Sequence, residues 1–237
     1  MSSRNRRARC GAKRRQLGLG LVEILVALAI SLFLLGGLFT IFFTTRQTFA
    51  AQNGLTALQD NQRFAMTVVA NVVQAAGYFP DPLNSTAGTA LPSDATYATA
   101  GQSIFGTAGL SASAPDTVSV RFRAAANDPN VMNCLGDTAG ASATTFDNRF
   151  SIGSSALLCN GTTLVDGVGN LKVLYGLDTT GDGSVTRYVS AGGVTDWTAI
   201  KTVRVTFTFV NPLAGQPGQP GTIAATRVIN LSGQGQS

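Results

Sequence analysis

The sequence predicts an α+β chain, with one long N-terminal α-helix, half membrane-spanning and half amphipathic, packed on a C-terminal antiparallel β-sheet head. Three observations predict it. An uncharged apolar run extends from Ile24 to Thr45. Apolar residues at alternating spacings of three and four then carry the helical pattern on to Ala76. Beyond Thr117, apolar alternation of period two recurs without an intervening helical pattern.

The first element is a basic leader that stops at glycine and gives way to an apolar helix: Gln16-Leu17-Gly18-Leu19-Gly20-Leu21-Val22-Glu23-Ile24-Leu25-Val26-Ala27-Leu28-Ala29-Ile30. Glu23 is the anomaly. A carboxylate in a lipid-exposed helix costs roughly 2.5–3.5 kcal/mol at the bilayer centre, so a polar residue there marks function and asks for a partner. The arrangement resembles the type III signal of type IV prepilins. That resemblance implies cleavage after Gly18 by a prepilin peptidase and N-methylation of Leu19 as the new N-terminus. It also implies that Glu23, fifth in the mature chain, pairs with the terminal amine of a neighbouring subunit. Leu19 departs from the phenylalanine usual in major pilins; minor pilins vary more at this position. A plain single-pass anchor with an interfacial glutamate is the alternative.

The charge balance follows the same boundary. Of 17 Lys and Arg, seven (Arg4, Arg6, Arg7, Arg9, Lys13, Arg14 and Arg15) precede Gly18, and all 12 acidic residues follow it. The chain after the cut carries ten basic against twelve acidic side chains, a net of −2, where the precursor carries +5. A nucleic-acid partner inferred from basicity is therefore not expected. A basic leader matches the positive-inside rule and directs the C-terminal part across the membrane. The 22 residues from Ile24 to Thr45 reach about 33 Å at 1.5 Å per residue, enough to cross a bilayer once. A secretory signal has a shorter apolar core, about 7–15 residues, ending at small residues.

Past Arg46 the helix becomes amphipathic. Leu55, Leu58, Gln62, Ala65, Val69, Val72 and Ala76 form one stripe, with Gln62 its polar member. Gly77 and then Pro80 and Pro82 stop the helix. Gly36-Gly37 and Gly54 each cost about 1 kcal/mol relative to alanine in a helix interior. Close helix packing explains them, as does a helix that loosens between bilayer and filament. Gln59–Tyr78 (QDNQRFAMTVVANVVQAAGY) is similar to the same segment of PilW-like minor pilins.

From Phe79 to Pro115 the chain is rich in Ala, Gly, Ser, Thr and Pro and reads as an irregular connection with a short strand near Ser103–Phe105. Thr117–Arg123 alternates as a half-buried strand, with Arg121 and Arg123 on a solvated face. Asp128–Phe150 reads as a polar loop. Leu164-Val165, Leu171–Leu177, Val185–Val189, Ile200–Val210 and Thr226–Leu231 read as successive strands of one antiparallel sheet. Leu171–Asp182 (LKVLYGLDTTGD), Tyr188, Trp197 and Thr202–Phe207 (TVRVTF) resemble the C-terminal half of PilW-like minor pilins, whereas the Asn230-Leu231-Ser232-Gly233 ending departs from that family's usual Arg-Asn. The expected divisions are a leader at 1–18, a membrane or filament-core helix at 19–45, an amphipathic helix at 46–77 and a periplasmic head at 78–237.

Cys10 lies in the leader, which leaves Cys134 and Cys159 as a pair suited to a structural disulfide in an oxidising compartment. Asp178-Thr179-Thr180-Gly181-Asp182-Gly183-Ser184 matches the first half of a calcium loop, with Asp178 and Asp182 as the acids, but Val189 stands where the bidentate acid belongs. A hairpin turn accounts for the same Asp/Gly richness. Asn84-Ser85-Thr86 and Asn160-Gly161-Thr162 fit the glycosylation acceptor pattern. The sequence contains no histidine, so Ser-His-Asp, Cys-His and His-metal mechanisms are absent, and no phosphate-binding or dinucleotide fingerprint occurs. No enzyme and no cofactor is expected, with calcium at Asp178 and Asp182 the alternative to the turn. The resemblance implies a PilW-like minor pilin acting in pilus priming and assembly at the bacterial inner membrane, then in the pilus or at its tip. Its implied partners are other minor pilins, the major pilin, the prepilin peptidase and the inner-membrane assembly platform. A minor pseudopilin of type II secretion, an adhesin or DNA-uptake subunit, and an unrelated anchored periplasmic protein are the alternatives.

Overall fold

The computed structural model describes residues 20–231. Two compact units meet in the chain between Ala50 and Ala51. The helix α1 (Leu21–Gln74) contributes to both.

In the first unit every residue from Gly20 to Ala50 is exposed. These are chiefly Leu, Ile, Val and Phe, and this is the one helix among the described residues long and apolar enough to cross a membrane. Four of its hydroxyls, those of Ser31, Thr40, Thr44 and Thr48, bond within the helix. Ser31 donates to the Ala27 carbonyl at 2.7 Å, Thr40 to Gly36 at 2.9 Å and Thr44 to Thr40 at 2.9 Å. Such back-bonding removes the cost of a bare hydroxyl in hydrocarbon. A Cβ added at Gly36 or Gly37 would meet nothing within 4 Å.

The second unit is built around the amphipathic stripe. Leu58, Ala65, Val69, Val72 and Ala76 are buried, joined by Val73 from the adjoining turn. Gly77, with φ 78°, takes the left-handed conformation that ends the helix, and its N–H donates to the Arg121 carbonyl at 3.0 Å. A Cβ at Gly54 would come within 2.9 Å of Pro212, so that glycine admits the loop after the eighth strand.

Two antiparallel sheets enclose this core, not the one sheet expected. The first holds β1 (Ile104–Thr107), β2 (Thr117–Ala124), β3 (Thr144–Gly153), β4 (Ala156–Cys159) and β5 (Thr162–Asp166) in that order. The second holds β6 (Val168–Leu177), β7 (Arg187–Val189), β8 (Ile200–Val210) and β9 (Thr222–Asn230) in the order β7-β6-β8-β9. A four-residue helix, α2 (Ala87–Ala90), precedes β1. Asp116 ties the sheets together: its carboxylate accepts from the Val173 N–H at 2.9 Å, the Gly109 N–H at 2.8 Å and Lys172 Nζ at 3.1 Å. Across the same seam a Cβ at Gly106 would overlap the Tyr175 hydroxyl, so a glycine on β1 is what lets that ring lie against the strand.

Two further expectations are corrected. Part of the segment read as polar loop is the ten-residue strand β3, with the hairpin strands β4 and β5 after it. Asn148 is buried in β3, yet it accepts from the Cys134 N–H at 2.7 Å and donates to the Val120 carbonyl at 3.3 Å, so its polarity is matched. Arg121, expected on a solvated face, is 2% exposed. The segment before β1 folds over it. Its guanidinium donates to the carbonyls of Gln102 and Pro92, both at 2.7 Å, and of Leu91 at 3.2 Å, pairs with Asp94 at 2.9 Å, and lies 4.2 Å from the Tyr97 ring centroid. The irregular connection is therefore packed, with Phe79, Leu91 and Tyr97 buried.

Candidate assembly site

Gly18 and Leu19 lie outside the described residues. Glu23 lies in the first turn of α1, where its N–H donates to the Gly20 carbonyl at 2.9 Å. A carboxylate at that end is favoured by the helix macrodipole. No ion pair involves Glu23 among the described residues. The first half of α1 thus presents an apolar helical surface with one carboxylate near its start. It is suited to lateral packing with other helices, where a cation from a neighbour would complete the charge.

In the head, Cys134 and Cys159 are disulfide-bonded across 25 residues, their Cα atoms 6.3 Å apart. The bond fastens the 131–137 loop beside β4. Within the loop, Asn133 Oδ1 accepts from the N–H groups of Leu135 and Asp137, both at 2.9 Å. Against this loop lies an apolar groove of about 1080 Å³, lined by Val72, Leu164 and the part-exposed Phe64, Tyr78, Met132 and Leu135. Breaking the bond with a Cys134→Ser, Cys159→Ser pair should cost about 3–4 kcal/mol by loop-closure entropy. Urea unfolding of the full chain in detergent measures this, and the parent treated with reductant should fall to the same midpoint.

Asp178 and Asp182 behave as turn residues. Asp178 accepts from the N–H groups of Gly181 at 2.7 Å, Gly183 at 2.8 Å and Thr180 at 3.2 Å, and Asp182 accepts from Ser184 at 2.8 Å. Burial works to raise the Asp178 pKa, but these amides outweigh it and hold the carboxyl below its ordinary value. No group of three or more acidic, His or Cys side chains positioned to hold a metal occurs among the described residues. The arrangement matches turn chemistry with both oxygens of Asp178 already engaged.

Sequence reasoning missed the Arg121 cluster. Burial works to raise the Asp94 pKa, but the amides of Tyr97 and Thr96 and the Arg121 charge reverse that and hold it below 3.8. A lowered folded-state pKa gives stability that is complete above the unfolded value and is lost as pH falls through the folded one. Thermal unfolding from pH 6 down to about pH 2 should therefore show a shallower acid loss for Asp94→Asn than for the parent.

The comparisons divide along the same lines as the structure. Residues 13–39 match the prokaryotic N-terminal methylation motif. Residues 135–216, from the disulfide loop through β8, match the type IV pilus-assembly protein W, PilW. No curated protein matches the chain. A methylation motif leading into a long apolar helix and a PilW match in an antiparallel head together support a PilW-like type IV pilin.

Proposed function

We propose that this protein is a non-catalytic minor pilin that helps prime type IV pilus assembly. It is made as a prepilin, cut after Gly18, methylated on Leu19, and held in the inner membrane with its head in the periplasm until it joins the filament. Residues 1–18 are the leader, 19–45 the membrane and filament-core helix, 46–77 the amphipathic helix and 78–237 the head. Other minor pilins and the major pilin are its partners in the fibre, and the prepilin peptidase and assembly platform its partners at the membrane. The observation that carries this reading is Glu23 in the first turn of a helix that is otherwise uncharged up to Arg46, inside the matched methylation motif. A buried carboxylate needs a cation, and a neighbour's N-terminal ammonium supplies one where helices pack in register.

Intact-mass analysis of the full chain, expressed with and without a prepilin peptidase, tests the proposal. With the enzyme, the mass should fall by Met1–Gly18 and rise by one methyl on Leu19. An unchanged leader, or a cut elsewhere, would leave an ordinary anchored protein.

A further inference from the structure

The two sheets have four outer strands, and three of them are short: β1 has 4 residues, β5 has 5 and β7 has 3. Short outer strands are a usual protection against pairing with other chains. β9 is the exception. It has nine residues, all paired to β8 on one side, and among the described residues no strand pairs with the other. The pairing fixes which backbone groups are free. The Leu231 N–H donates to the Lys201 carbonyl and the Asn211 N–H to the Gly221 carbonyl. In an antiparallel ladder, hydrogen-bonded pairs alternate along the strand. The odd-numbered residues of β9 therefore bond to β8. Thr222, Ala224, Thr226, Val228 and Asn230 turn their N–H and C=O groups outward.

Charge narrows the occupant. From Trp197 to Leu231 there is no acidic residue, whereas Lys201, Arg204 and Arg227 are present. Arg227 is exposed on β9 itself and has no ion pair among the described residues. It occupies an odd position, so against an added strand it falls at a non-hydrogen-bonded pair, where facing side chains come closest. We propose that β9 is a docking edge that accepts an extended segment of a different polypeptide as a fifth strand, with an Asp or Glu facing Arg227. A second copy of β9 is disfavoured, since it brings no acid to that position. The inference rests on reading the head as an assembly subunit.

The test uses the full-length chain in cells, with a photo-crosslinking phenylalanine analogue in place of Ala224, alone and combined with Val228→Pro or Arg227→Glu. Proline at residue 228 removes an outward N–H and leaves the bonds to β8 in place. Arg227→Glu changes only an exposed side chain, so it remains informative even if the proline variant folds poorly. The expected result is a crosslink to an extended segment of another polypeptide with Asp or Glu within two residues of the joined site. Both variants should lower its yield by about tenfold or more, since like charges facing each other oppose docking. Changing that acid to lysine should restore the yield in the Arg227→Glu chain. A crosslink to a second copy or to lipid, a yield unaffected by both variants, or no crosslink at all would overturn the proposal. Leader loss and Leu19 methylation, measured in the same cells, separate its failure from failure of the pilin reading.

Discussion

Replacing Glu23 by valine should leave the protein in the membrane and remove it from the filament. The valine variant loses nothing needed for insertion, since the carboxylate itself carries a cost of roughly 2.5–3.5 kcal/mol at the bilayer centre and less near the edge. Helix geometry should also survive, because the Glu23 N–H rather than its side chain bonds to Gly20. In a packed bundle of such helices the balance reverses. A neighbour's terminal ammonium would be left without its carboxylate, and breaking a buried pair from one side costs about 3–5 kcal/mol. At 1.4 kcal/mol per factor of ten, that is a loss of about two to three and a half orders of magnitude in incorporation. Glu23→Asp should fall between, and Glu23→Gln separates charge from hydrogen bonding. Immunoblots of sheared filaments against the membrane fraction give the ratio, and intact mass confirms that each variant has lost its leader. Parental amounts of Glu23→Val in the filament would mean that stem packing alone sets the register.

How legible the molecule was depends on how local each cause is. The α1 stripe was legible because burial of a helix face leaves a spacing of three and four in the sequence, and Leu58, Ala65, Val69 and Val72 are all buried. β8 was legible for the same reason at period two. β3 was not: its inward positions are Phe146, Asn148 and Phe150, and the central asparagine breaks the apolar alternation. Only partners at sequence distances of 14 and 28 residues make Asn148 a core residue. One signal was present and read otherwise. Asn160-Gly161 joins β4 to β5 with φ of 50° and 85°, the left-handed pair of a tight hairpin. Of that hairpin the apolar pattern predicts only the second strand, at Leu164-Val165, because β4 has just four residues. The Asp/Gly loop was ambiguous because the carboxylate oxygens that bind a cation equally well organise a turn. Gly18 and Leu19 rest on the motif, which the N-terminal methylation match supports.

Arg121→Met should be the most damaging single change in the head. Methionine keeps most of the side-chain length and fills the space, so the cavity left is small and the hydrogen bonds dominate. The carbonyls of Leu91, Pro92 and Gln102 all lose a donor; Leu91 keeps the Gly101 N–H and Pro92 is exposed, so the Gln102 carbonyl bears the main loss, and a buried group left bare costs about 1–3 kcal/mol. The Asp94 ion pair adds little, because its carboxylate side chain is 51% exposed. A total of about 2–4 kcal/mol corresponds to a fall of about 4–16 °C in the thermal midpoint for a unit of this size. Arg121→Lys should recover only part of it, since one ammonium cannot reach carbonyls that a planar guanidinium bridges from both edges. The loss should also be local before it is global: the 79–103 segment should become a protease target at temperatures where the sheets remain folded. Leu91→Ala supplies the contrast. Leu91 is fully buried and belongs to a small cluster with Phe79 and Ala90, apart from the main core. If Arg121→Met resists proteolysis and Leu91→Ala does not, apolar burial holds the segment and the guanidinium merely fits into it. If Arg121→Met opens first, a charged side chain on the middle of a strand is what converts a Gly- and Ser-rich connection into part of the folded head.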